Sequence, residues 1–181
     1  MDLSHKPTIT GKKITLRPFT REDLPAIKKC LTDPEVIELT GSSGDFDENI
    51  VTTWYLTRNE QTERLDLAIE SHASNQVIGE VVVNEYDEQL HSMNFRIMIG
   101  SEGRNKGFGK EALALLADYM FVKTPLSQLT LSVLSINHRA LHIYEQAGFL
   151  PIATEKTKVN GQYTDEILMV LSRKNWLEKN K

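Results

Sequence analysis

"GSEGRNKGFGKEALALL", Gly100 to Leu116, decides the fold. It sets Arg104, Lys106 and Lys110, with the close glycines Gly107 and Gly109, in front of an apolar helix. A helix N-terminus behind a glycine turn is an anion site, because its first N–H groups are unpaired and its dipole points the same way. Spacing narrows the anion. A P-loop needs G-x-x-x-x-G-K-[ST]. Here Gly103 lies one residue too far from Gly109, and Lys110 is followed by Glu111, which leaves no hydroxyl for Mg²⁺. A dinucleotide turn needs G-x-G-x-x-G, and glycines at 103, 107 and 109 break it. What remains is Arg104-Asn105-Lys106-Gly107-Phe108-Gly109 followed by Lys110, a frame for a pyrophosphate without a metal. On spacing alone a plain turn with a solvated basic face remains the alternative.

Outward from the loop, Ser92–Gly100 before it reads as a strand, and so do Gln76–Tyr86 and Arg64–Glu70 before that, joined by short polar turns. From Gly107 to Phe121 the apolar residues Phe108, Ala112, Leu115, Leu116 and Tyr119 have helical spacing, and Pro125 stops the run. Leu129–Ser135 is a strand. Asn137 caps a helix to Ala147, with Gly148 at its end and Phe149 folding back on Tyr144. Two strands around the Asn160-Gly161 turn form a hairpin, and a short or frayed helix ends the chain.

Upstream, Lys12–Phe19 is a strand. A helix begins at Thr20, with Asp23 placed as the acid of a capping box and Pro25 in the first turn. Thr40–Asp45 is a loop. Asp47–Gln61 is a helix with Ile50, Trp54 and Leu56 turned to the core. The expectation is one α/β (α+β) domain over residues 1–181, with a mixed, mostly antiparallel sheet of about seven strands and helices on both faces.

The bulk numbers restrict the function classes. The chain is 40% hydrophobic and 25% charged, which is globular composition. A net charge of −4 argues against a general nucleic-acid binder. "MDLSHKPTIT" is too polar for a signal peptide, and "ALALLADYMFV" is broken by Asp118, so no membrane span is expected. The single Cys30 has no internal disulfide partner, which favours a reducing, cytoplasmic setting. His138 and His142 stand four apart on one helix, but Arg139 replaces the Glu of H-E-x-x-H and no third ligand is evident, so no metal is expected.

The loop and the downstream N-x-x-A-x-x-x-Y-x-x-x-G-F pattern (Asn137, Ala140, Tyr144, Gly148, Phe149) together resemble the GNAT superfamily of acyl-CoA-dependent N-acetyltransferases. The resemblance covers about Lys12 to Leu171, and the final "GFLPIATEKTKVNGQYTDEILMVL" is similar to the ending of the ribosomal-protein N-acetyltransferase branch. It implies that backbone amides of Arg104, Asn105, Lys106, Gly107, Phe108, Gly109 and Lys110 hold the pyrophosphate of acetyl-CoA. It also implies that Ile97, Met98 and Ile99 offer backbone groups to the pantetheine arm, with an N–H near Met98 or Ile99 at the thioester oxygen, where charge builds. Asn137 would contact the same arm, and Tyr144 would stand near the sulfur. A phenol protonating a thiolate is uphill by about 2 kcal/mol, so a hydrogen bond suits Tyr144 better than full transfer.

An incoming amine must lose a proton. Many relatives carry a Glu in an E-x-x-x-x-x-G pattern on the strand before the loop, where this chain has Asn94. Glu80, which interrupts the apolar run "IGEVVV", is the nearest substitute, since burial raises a carboxyl pKa toward a useful value. A water chain to solvent, with Glu80 merely paired to Arg96, is the other reading. The resemblance implies a small amine or a protein N-terminus as acceptor, and a homodimer. A non-catalytic acyl-CoA sensor and a binder of another phosphate ligand are the rival functions.

Overall fold

The computed structural model describes residues 1–180. The chain runs β1 (Ile9–Thr10), β2 (Ile14–Arg17), α1 (Leu24–Leu31), α2 (Pro34–Thr40), α3 (Glu48–Thr57), β3 (Leu65–Ser71), β4 (Gln76–Asp87), β5 (Ser92–Ile99) and α4 (Phe108–Lys123). It continues through β6 (Gln128–Leu134), α5 (His138–Ala147), β7 (Leu150–Val159), β8 (Gln162–Ser172) and α6 (Arg173–Lys179). The strands form one sheet in the order β1-β2-β3-β4-β5-β6-β8-β7. Every neighbouring pair is antiparallel except β5–β6, which is parallel and joined across α4.

Strand alternation divides the core between the two faces. Leu65, Leu67, Ile69, Val81, Val83 and Phe95 turn to one face, where α4 lays down Phe108, Ala112, Leu113, Leu116 and Met120. Ala68 and Val77 turn to the other, under Ile27 of α1 and Tyr55 of α3, with Phe19 edge-on to the Tyr55 ring at 5.1 Å. The expected caps are present. The Asp23 carboxylate accepts the Thr20 N–H at 2.7 Å and holds Arg17 at 2.8 Å, while Arg17 also reaches Glu70 at 2.7 Å. Asn160 and Gly161 both have positive φ, 49° and 82°, as a two-residue hairpin turn requires.

The sheet is the expected mixed, mostly antiparallel one, and among the described residues it has eight strands, because Ile9–Thr10 adds a two-residue edge to β2. Two expectations need correction. A helix the sequence reading lacked, α2, follows α1 directly. Asp33 caps it by accepting the Glu35 and Val36 N–H groups, and Pro34 fills its first turn. On α3, Ile50 and Trp54 face solvent, 66% and 47% exposed, while Tyr55 is the buried residue and Leu56 is partly buried. Trp54 has a different partner: the Arg58 guanidinium lies 3.3 Å from its ring centre.

Candidate active site

The site begins where the sheet stops being continuous. β5 and β6 pair at only three positions, Ser92–Gln128, Met93–Leu129 and Asn94–Thr130. Beyond Asn94, β5 keeps its β4 partners out to Ile99, and β6 stays on β8 out to Leu134. The two strands therefore diverge, and the edge of β5 from Phe95 onward faces a wedge. Val36 and Leu39 of α2, Asn137, Ala140, Ile143 and Tyr144 at α5, and the start of α4 line it.

Backbone polarity inside the wedge follows from one hydrogen bond. The Gly100 N–H donates to the Ile78 carbonyl at 2.9 Å. By alternation Met98 also turns its N–H and C=O to β4, whereas Ile97 and Ile99 turn theirs into the wedge. Of the two oxygen donors expected, Ile99 fits this geometry and Met98 does not.

At the far end of the wedge, Gly107 adopts φ +81° as the residue preceding α4, and Asn105 adopts φ +60°. Among the described residues the N–H groups from Arg104 to Lys110 have no acceptor in the protein. A Cβ on Gly109 would stand 3.2 Å from Ile99 Cδ1 and 3.8 Å from Ile143 Cδ1, so this glycine lets α4 approach β5 and α5 closely. The Lys110 ammonium lies 3.4 Å from Gln146 Oε1. A cation the sequence reading missed, Lys13, donates to the Lys106 carbonyl at 3.2 Å beside Gly107. No sequence signal marks it, because it arrives from β2's side of the molecule.

Arg104 divides its side chain from its backbone. Its side chain is spent on protein carboxylates: it grips both Asp33 oxygens at 3.0 Å and reaches Glu35 at 3.2 Å. Its backbone N–H stays free for an anion.

Tyr144 is buried in the wedge, ring edge-on to Phe95 at 6.3 Å and 5.6 Å from Phe149. Its hydroxyl has no hydrogen-bond partner among the described residues, and burial pushes its pKa up, which keeps the phenol protonated. Asn137 caps α5 by accepting the Ala140 N–H at 3.1 Å and also faces the wedge.

Glu80 pairs with Met98 across β4–β5 and shares a sheet face with Arg96 and Asn94. It lines a second cavity that runs on from the wedge past Tyr144 and Asn137 to Glu166 of β8. Burial pushes its pKa up to about 7; contact with the Tyr55 hydroxyl and the charges of Arg96 and Arg64 oppose the shift, and Asp66 adds to it. Among the described residues Glu80 forms no ion pair, so the pairing with Arg96 is a field effect and not a contact. Asn94 donates to Asn84 Oδ1 at 3.2 Å. His138 and His142 are exposed, and His142 lies against Gln146 at 3.0 Å. Among the described residues no three His, Cys, Asp or Glu side chains stand close enough to hold a metal ion, and no helix is long and apolar enough to cross a membrane.

Comparison with known proteins fits this geometry. Residues 13–150 match the model of the acetyltransferase (GNAT) domain. Spermidine N(1)-acetyltransferase of Escherichia coli K12 is 27% identical over 95% of this chain and 92% of its own length. Alpha/beta-tubulin-N-acetyltransferase 9 of Drosophila melanogaster is 21% identical over 99% and 95%. The crystal structure of spermidine N-acetyltransferase from Vibrio cholerae in complex with CoA and spermine superposes with a TM-score of 0.83 at 25% identity, covering 92% of this chain and 99% of that one. These relatives are directed at spermidine and tubulin, and do not single out the ribosomal-protein branch. With a family match spanning the wedge, the anion cradle and Tyr144, the chain belongs to the GNAT acetyltransferase family and is an acyltransferase.

Proposed function

We propose that the protein transfers an acetyl group from acetyl-CoA to a primary amine by direct attack, with both substrates bound at once. The observation that carries this reading is the β5–β6 wedge, which opens at one end on the free N–H groups before α4 and at the other on Glu80. Bound acetyl-CoA supplies an activated thioester. The amides from Arg104 to Lys110 hold its pyrophosphate, with the ammonium groups of Lys13, Lys106 and Lys110 around them. The Ile97 and Ile99 backbone groups continue the unpaired edge of β5 as a strand-like partner for the arm, and the Ile99 N–H stabilises charge on the acyl oxygen. Asn137 offers its amide to the same arm while it caps α5.

Glu80 is the proton acceptor for the amine. Its pKa near 7 lets it be ionised at working pH and still hold a proton. Asn94 has no acid–base capacity and is left with orienting water. Tyr144 donates a hydrogen bond toward the departing sulfur and remains neutral throughout. Cys30 takes no part: it is buried, its thiol directed at the Ile78 carbonyl and its pKa pushed up to about 11 by burial. The acceptor lies along Glu80, Arg96 and Glu166, a surface of mixed charge. The relatives make spermidine and tubulin the first two amine sources to offer it, with a peptide that bears a free N-terminus as the third.

Thermal unfolding with acetyl-CoA, ATP or NAD tests the cofactor. A ligand at a hundred times its Kd adds about 2.7 kcal/mol, a rise of about 5–10 °C for a chain of this size. A rise with acetyl-CoA alone, followed by amine-dependent thiol release, is the expected result. A larger rise with a nucleotide overturns the reading.

A further inference from the structure

We propose that Arg104 positions α2, the wall of the acceptor cavity, and does not grip cofactor phosphate. Its guanidinium is a fork held on three carboxylate oxygens. Both Asp33 oxygens accept from it at 3.0 Å, and Glu35 Oε2 lies 3.2 Å away. Asp33 is a hub with no valence left for water: it also accepts the Glu35 and Val36 N–H groups that begin α2, and the Ser101 N–H from the turn after β5. Glu35 passes the chain of charge on to Arg139 of α5 at 2.7 Å. The cluster thus ties three elements together: the cofactor loop, α2 and the helix that carries Tyr144.

The tie fixes a surface that has little else to fix it. α2 has seven residues, and Val36 is its one buried side chain. Its other end is the left-handed Gly41, close to Val159 at the tip of the β7–β8 hairpin. Between these ends Val36, Leu39 and Thr40 face both the wedge and the Glu80 cavity. A helix this short does not hold its own shape in water. A bidentate arginine–carboxylate pair fixes both distance and orientation, which a lysine, as a point charge, does not. The loop that receives the cofactor therefore also sets the wall against which the acceptor packs.

The kinetic arm of the test rests on the acetyl-transfer reading, and the exchange arm does not. Arg104→Gln and Arg104→Lys are compared with wild type. Hydrogen exchange of the α2 amides is expected to accelerate at least tenfold in Arg104→Gln, and less in Arg104→Lys, with α4 and α5 unchanged. The Kd for acetyl-CoA, read by calorimetry, is expected to stay within threefold. KM for the acceptor is expected to rise at least tenfold with kcat changed less than threefold. Unchanged α2 protection overturns the proposal, and so does a tenfold loss of acetyl-CoA affinity with acceptor KM intact. Wild type that binds no acetyl-CoA defeats the acetyl-transfer reading instead, and the exchange result still decides the role of Arg104.

Discussion

The two edges of β5 carry the same residues and do opposite work. Toward β4 the strand is matched from Asn84–Asn94 to Gly79–Ile99, and its backbone groups are satisfied. Toward β6 it is matched at three residues and then abandoned. An unpaired strand edge inside a fold costs free energy unless something completes it. The closed edge is thus structure and the open edge is, in the function proposed above, the surface that binds the cofactor arm, and Phe95 stands at the fork between them.

The largest test of this contrast is at Glu80, which hangs on the closed side and is proposed to serve the open one. Glu80→Gln is expected to lower kcat/KM about 10²–10⁴-fold at pH 8, and to remove a rise in rate that wild type shows through pH about 7. Stability should move the other way. The folded state holds this proton more tightly than the unfolded chain does, so wild type loses stability as pH rises from about 4.5 to about 7 and is level above that. Glu80→Gln removes that loss, so its Tm should exceed that of wild type at pH 8 and match it near pH 4. A rate profile without a limb near 7 would rule out Glu80 as the base.

Next comes the fork itself. Phe95 is 2% exposed and packs edge-on to Tyr144. Phe95→Ala should cost about 3–5 kcal/mol in denaturant unfolding; a cost below 1 kcal/mol would mean that the seam is not anchored there. Smaller again is Gly107→Ala. Its Cβ meets nothing closer than Lys13 Nζ at 3.6 Å, so the left-handed backbone is the whole penalty, about 1–2 kcal/mol, with acetyl-CoA binding weakened about tenfold. Smallest is Tyr144→Phe. Removing a hydroxyl that has no protein partner should leave stability level or slightly raised, while kcat falls about tenfold for one lost hydrogen bond. Calorimetry and thiol release separate the two, and an unchanged kcat would remove Tyr144 from the chemistry.

The open edge was far more legible than what lies across it. Local chemistry announced the loop, the strands on either side and the Asn137–Gly148 helix, because turn residues, caps and periodicity act within a few positions. α2 also left a local mark, Asp33-Pro34-Glu35, a cap followed by proline and an acid, but it is too short to show periodicity. The outward turn of Trp54 was hidden because an aromatic normally signals core, although the cation that stacks on its ring, Arg58, stands only four residues on, at helical spacing. Distance in sequence concealed the rest. Asp33 meets Arg104 across 71 residues, and Lys13 meets Lys106 across 93. Cations in a motif advertise themselves as ligands for anions, and nothing local says that one of them is already taken.

The three-residue seam also has a kinetic consequence. β3, β4 and β5 join by short turns, as do β7 and β8, and such pairings close small loops. The seam instead joins Ser92 to Gln128 across the whole of α4. Loops of that length close after the short ones. Refolding should therefore form the β3–β4–β5 meander and the β7–β8 hairpin first, with the β2–β3, β6–β8 and seam pairings following, so that the cleft appears only among those later steps. Pulse-labelled amide exchange during refolding checks this: protection across β3–β5 should precede protection at the seam, and simultaneous protection would mean that the sheet forms as one unit.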